Sequence, residues 1–174
     1  MTVQSVDAAD RSVIDALDGR IIRQLAEEPR IGMLELSRRL GIARGTATAR
    51  LEKLQRRGIV TGFGPDIDLR NLGFPVTAFV TIEVTQGQLA TVTAPLLAVP
   101  EVVEAHVIAG QGDLLVRLAA RSNDHLMEVL EHILSLPEID RGATAIALAE
   151  QVPLRTMPLV EKAAGLDSPS RPPS

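Results

Sequence analysis

The stretch that decides the fold is Met33–Arg57, MLELSRRLGIARGTATARLEKLQRR. Apolar residues at Leu34, Leu36 and Leu40 mark a short helix that breaks at Gly41-Ile42-Ala43. A second helical pattern follows, with Ala47, Leu51 and Leu54 at i, i+4 and i+7, and it stops at Gly58. Two short helices joined by a tight turn that contains Gly read as a helix-turn-helix. Between Arg30 and Val60 eight basic residues stand against two acidic ones, a net of +6. The whole 174-residue chain is at −4, so the remainder carries −10. A basic segment in an acidic protein is the electrostatic footprint of a DNA-contacting module.

Upstream, Asp15 is placed to cap a first helix whose apolar stripe is Leu17, Ile21, Ile22 and Leu25, and Pro29 ends it. Gly32 sits at the start of the second helix and Gly41 at its C′ position. The third helix, Arg44–Arg57, follows Ala43 and so lacks a capping side chain, which costs about 1 kcal/mol. Met1–Val13 is polar and acidic and reads as a loose arm.

Downstream, Ile59–Ile67 reads as a short strand carrying Gly and Pro, and Asp68–Pro75 (DLRNLGFP) as a boundary rich in turn residues. Val76–Val84 then alternates, with Val76, Ala78, Val80, Ile82 and Val84 on one face. Gln88–Ala98 is helical, disturbed near Pro95. Val102–Ala109 and Leu114–Ala119 are strands around a turn at Gly110–Asp113. Asn123–Leu136 is a helix with Leu126, Leu130, Ile133 and Leu134 on its core face, and Arg141–Glu150 is a last strand. The fold class is α+β, and the order βαββαβ is the ferredoxin-like arrangement. Helices cover one face of such a sheet, so the other needs a partner, which favours a homodimer through the open faces. Gly165–Ser174 is Pro/Ser-rich and reads as disordered.

Composition narrows the function. The chain is 45% hydrophobic and 2% aromatic, with no Trp or Tyr, so its core must come from Val, Leu, Ile and Ala. With no Cys, disulfides, thiolate metal sites and Cys nucleophiles are excluded together. The N-terminal residues carry no basic region or apolar run of a signal peptide. No apolar stretch approaches the roughly 20 residues that span a bilayer. A cytoplasmic, nucleoid-associated protein with no membrane partner is the expectation.

Taken in order, IDALDGRIIRQL, RIGMLELSRRLGIARGTATARLEKLQRRGIV, TGFGPDIDLRNLG, AGQGDLLVRL and DRGATAIAL resemble the Lrp/AsnC, or feast/famine, family of transcription regulators over about Ile14–Leu159. The resemblance implies an N-terminal winged helix-turn-helix domain at 14–60 and a hinge strand and linker at 61–75. It implies a ferredoxin-like (RAM-type) domain at 76–160 that dimerises, assembles to octamers and binds amino acids. The arm at 1–13 and a disordered tail at 161–174 flank them.

Recognition helices touch base edges with their N-terminal residues, here Arg44, Gly45, Thr46 and Ala49, mostly small enough for close approach to double-stranded DNA. Arg44 and Arg50 are expected at guanine edges, and Lys53, Arg56 and Arg38 at phosphates. The loop Gly110-Gln111-Gly112-Asp113 is a hairpin turn by spacing alone. The resemblance makes it part of an effector site, with Asp113 pairing an amino acid's ammonium group and backbone N–H groups taking its carboxylate. Gln111 and Gly112 stand where the family has an acidic and an aromatic residue, and the missing ring implies an opened pocket that takes a larger ligand or none. Thr144 is expected to line the same cleft. His125 and His132 are i, i+7 on a helix rather than a zinc pair and read as surface residues; no metal or catalytic group and no cofactor is expected. Two rival readings stay open: an effector-independent architectural DNA-binding protein, and an enzyme resembling the sirohaem decarboxylases, which share this two-domain layout.

Overall fold

The computed structural model describes residues 13–166. The arm expected before Val13 and the tail expected after residue 166 lie outside the described residues.

Helix α1 (Ala16–Glu27) starts at Asp15, whose carboxylate accepts the Asp18 N–H at 2.9 Å while the Asp18 carboxylate accepts the Asp15 N–H at 3.3 Å. Two otherwise orphaned donors are thereby satisfied reciprocally. Helices α2 (Met33–Leu40) and α3 (Arg44–Arg56) follow the expected pattern, and Ala43 gives α3 no side-chain cap. Ile21 of α1, Leu36 of α2, and Ala47 and Leu54 of α3 are buried, so each helix turns its apolar stripe inward.

The strand expected at Ile59–Ile67 does not form. Residues 61–68 have no regular structure and contribute nothing to the sheet. A strand persists only where a neighbour takes its N–H and C=O groups, and Gly62, Gly64 and Pro65 weaken the one available here.

The second half is β1 (Val76–Val84), α4 (Thr93–Leu97), β2 (Val102–Val107), β3 (Leu114–Ala120), α5 (Asn123–Leu134) and β4 (Ile139–Ala147). The sheet order is β2-β3-β1-β4 with every neighbouring pair antiparallel, the ferredoxin-like topology. Helix α4 is far shorter than Gln88–Ala98. Proline tolerates only the first turn of a helix because its ring clashes with the carbonyl four residues back, so Pro95 confines the helix to a start at Thr93. Ala78, Val80 and Ile82 of β1 and Val116 and Leu118 of β3 pack with Val92, Leu96, Leu126, Val129, Leu130 and Ile133 in one core.

The described residues form two compact units, one of residues 13–65 together with 153–166, the other of Asp66–Val152. The second unit therefore ends before residue 160. Residues 157–163 form a helix, α6 (Met157–Ala163), that packs on α1 rather than opening a tail.

Candidate nucleic-acid interface and ligand loop

Along α3 every third or fourth residue is buried, and the opposite side presents Arg44, Gly45, Thr46, Ala49 and Lys53 as an exposed row. Arg44 and Lys53 enter no ion pair among the described residues. The Arg38 side chain on α2 is 75% exposed, and its one ion pair among the described residues is with Glu35, at 3.3 Å; such an exposed pair is worth little and yields readily to a phosphate. Arg39 is more firmly held, between Glu28 at 2.8 Å and Glu35 at 3.2 Å.

Arg50 departs from the expectation of a guanine contact. Its guanidinium is turned onto the N-terminus of α1, paired with Asp15 and, at 3.0 Å, with Asp18, whose side chain is 3% exposed. A buried carboxylate needs a cationic partner, and Arg50 is that partner, so it positions α3 against α1. Arg57 is likewise engaged, donating to the Val13 carbonyl at 2.6 Å. Of the residues singled out from sequence, Arg44, Gly45, Thr46, Ala49, Lys53, Arg38 and Arg56 remain on the exposed surface.

The hydrogen bond from Arg50, reinforced by the Asp18 N–H, holds the Asp15 carboxyl below its ordinary value near 3.8. A carboxyl depressed on folding contributes stability that is complete above its unfolded value and is lost as the pH falls through the folded one. Denaturant unfolding of this unit, followed by circular dichroism, should lose stability below about pH 3.8 more steeply in the wild type than in Asp15→Asn. Parallel curves would remove Asp15 from the acid response.

The loop between β2 and β3 carries Gly110 at φ +131° and Gly112 at φ +81°. A Cβ on Gly112 would stand 2.5 Å from the Thr81 methyl carbon and 3.1 Å from the Ile82 carbonyl oxygen. The loop thus lies flat on β1, and the space expected to open at Gly112 is occupied by Thr81. Asp113 continues the ladder, its N–H donating to the Ile82 carbonyl at 2.8 Å. Its carboxylate accepts the Val84 N–H at 2.8 Å, beside the irregularity between Glu83 and Val84. Gln111 is exposed.

Thr144 is not in the same cleft within one chain. It pairs in register with Val80, whose side chain is in the core. Two residues before it, a Cβ on Gly142 would meet Leu134 of α5. Because side chains alternate along a strand, Thr144 belongs to the helix-covered face and Thr81, under the loop, to the other. That open face carries Phe79, 38% exposed, with exposed Ala143 and Ala145 beside it.

His132 is exposed as expected, whereas His125 is largely covered, its side chain 12% exposed. Its Nδ1 accepts the Arg121 N–H at 3.1 Å, and its Nε2 lies 3.3 Å from the Glu101 carboxylate. No group of three or more His, Asp or Glu among the described residues could hold a metal ion, and none of their helices is long and apolar enough to cross a membrane.

Two family models match the two halves: winged helix-turn-helix DNA-binding over residues 14–61, and Lrp/AsnC ligand binding domain over 77–157. The chain is 31% identical over 147 residues to the regulatory protein AsnC of Escherichia coli, covering 83% of this chain and 96% of that one. It belongs to the Lrp/AsnC family of transcription regulators. The structure of E. coli AsnC superposes with a TM-score of 0.78 at 30% identity, over 84% of this chain and 99% of that one. The HTH-type transcriptional regulator FL11 of Pyrococcus horikoshii is 28% identical over 149 residues, 86% of this chain and 99% of its own. A Neisseria meningitidis transcriptional regulator solved as a complex with L-Met shares the fold, with a TM-score of 0.72 at 22% identity over 80% of this chain and 93% of that one. As an Lrp/AsnC protein the chain is a DNA-binding, effector-responsive regulator and not an enzyme, which disposes of the decarboxylase alternative.

Proposed function

We propose that this regulator reads a pseudo-palindromic DNA site through the N-terminal half of α3 and that an amino acid bound to its second unit changes its affinity for that site. The observation that carries the first part is the exposed row Arg44, Gly45, Thr46, Ala49 and Lys53 on α3. Small residues allow the helix to approach the major groove, Arg44 reaches a guanine edge, and Lys53 and Arg38 neutralise phosphates.

Two heads are joined through the open sheet faces, where Phe79 and the Ala143 and Ala145 pair are left uncovered. A two-fold dimer then sets the half-sites about one helical turn, or a multiple, apart. Further assembly to octamers is part of this reading. The amino-acid class is supported by the Neisseria regulator's L-Met complex together with the ligand-domain match. In a single chain the Asp113 carboxylate already serves Val84, and Thr144 faces the other side of the sheet. The ligand is therefore gripped by backbone groups of the 110–113 loop together with a second copy of the chain. The protein works in the cytoplasm, on the nucleoid.

Selection of bound duplexes from a random library should enrich one pseudo-palindrome. Arg44→Ala should lower affinity for it by about 1–3 kcal/mol and relax selectivity at one base pair per half-site. Lys53→Ala should weaken all sequences alike and reduce the salt slope by about 1. Equal losses on selected and random DNA for Arg44→Ala would place that side chain on phosphates instead.

A further inference from the structure

The chain crosses between its two units twice, once after Pro65 and again after Val152. The second crossing exists only because α6 is fastened to α1, and three independent features fasten it. Gly19 of α1 has no side chain where α6 arrives, and a Cβ there would stand 2.5 Å from the Ala164 Cβ and 2.9 Å from the Leu166 Cδ1. Ala164 is buried in the same apolar cluster as Ile14, Ile21 and Leu25, with Val160 and Leu166 packed against it. Arg23 of α1 pairs with Glu161 at 2.8 Å, the Glu161 side chain being 18% exposed. The turn after α6 is closed by the Leu166 N–H on the Glu161 carbonyl at 2.9 Å.

The connecting residues 148–156 are of another kind. They form no helix or strand, and Leu148 and Leu154 are 94% and 91% exposed. A segment held only at its ends transmits force only by limiting how far those ends can separate, here to about 30 Å. Both ends are firmly seated. Upstream is β4, where Leu134 fits over Gly142; downstream is α6 on α1, the helix whose Asp15 and Asp18 hold Arg50 of α3.

We propose that residues 148–156 and α6 act as a strap by which the ligand-binding unit restricts the DNA-binding unit, so that ligand-induced change at β4 reaches α3 through α1. This rests on the effector-responsive reading above. The strap couples the sites if the two ligand states differ in the head positions that its length permits, since a ligand shifts an equilibrium only by its differential affinity for the two states.

The experiment slackens the strap without touching either unit, by inserting about six Gly and Ser residues between Val152 and Pro153. DNA affinity is read by fluorescence anisotropy on the library-selected duplex, with and without each standard L-amino acid, and amino-acid binding by calorimetry. In the wild type one amino acid should change the DNA Kd about fivefold or more. The inserted variant should bind the DNA and the amino acid as the wild type does, yet its DNA Kd should no longer respond. Glu161→Arg should uncouple in the same way, and Arg23→Glu combined with Glu161→Arg should restore the response. A wild type that responds and an inserted variant that responds equally would overturn the strap alone. A wild type indifferent to every amino acid would overturn the effector reading, and the strap with it.

Discussion

Asp18→Ala should destabilise the helix-turn-helix unit by about 2–3 kcal/mol and carry DNA binding down with it, although Asp18 is buried and faces no DNA. The side chain is 3% exposed and does two jobs, accepting the Arg50 guanidinium at 3.0 Å and the Asp15 N–H at 3.3 Å. Losing the second removes half of the cap of α1, worth about 1 kcal/mol. Losing the first leaves Arg50 with Asp15 alone. Breaking a fully buried pair costs about 3–5 kcal/mol, but Arg50 is 31% exposed and water replaces part of what is lost. For a unit this small the melting temperature should fall by about 10 °C or more. Arg50→Ala should do at least as much, because it strands a buried carboxylate. If Arg50→Ala abolished specific DNA binding with the melting temperature unchanged, Arg50 would be returned to the DNA surface.

Gly112→Phe should destabilise the ligand-binding unit by about 2–4 kcal/mol, the sum of backbone strain and overpacking at one site. At φ +81° any side chain is strained, and its first carbon meets the Thr81 methyl carbon at 2.5 Å and the Ile82 carbonyl at 3.1 Å. The two contacts can be separated. Thr81→Ser removes only the methyl group, so the double variant Thr81→Ser with Gly112→Phe should recover part of the loss, while Thr81→Ser alone should be nearly neutral. Additive effects, measured by denaturant unfolding, would mean that the loop moves aside instead of pressing on β1.

Local patterns were legible in the sequence and distant partnerships were not. The bounds of α2 and β1, the cap at Asp15 and the missing cap at Ala43 all follow from residues within a few positions of one another. Arg50 looked like a groove-reading residue because its periodicity places it beside the exposed arc, whereas the carboxylates that hold it lie 35 and 32 residues away. Helix α6 was hidden more deeply. It is short, contains Pro158, and depends on Gly19 and Arg23, the latter 138 residues from its partner Glu161. The signal available in the sequence was Gly19, the fourth residue of an otherwise good helix, where glycine costs about 1 kcal/mol unless something packs on it. At the 110–113 loop the glycine-rich turn was legible, but what the loop rests on depends on strand register. Register likewise puts Thr144 on the face opposite Thr81.

The most direct measurement is the affinity of the full-length protein for its library-selected duplex against a shuffled duplex of equal length, at fixed salt, with and without each standard L-amino acid. The selected duplex should bind about a thousandfold or more tightly than the shuffled one, and one amino acid should shift that affinity while leaving the shuffled duplex unaffected. Equal affinity for the two duplexes, unmoved by any amino acid, would contradict an effector-responsive reader of DNA sequence.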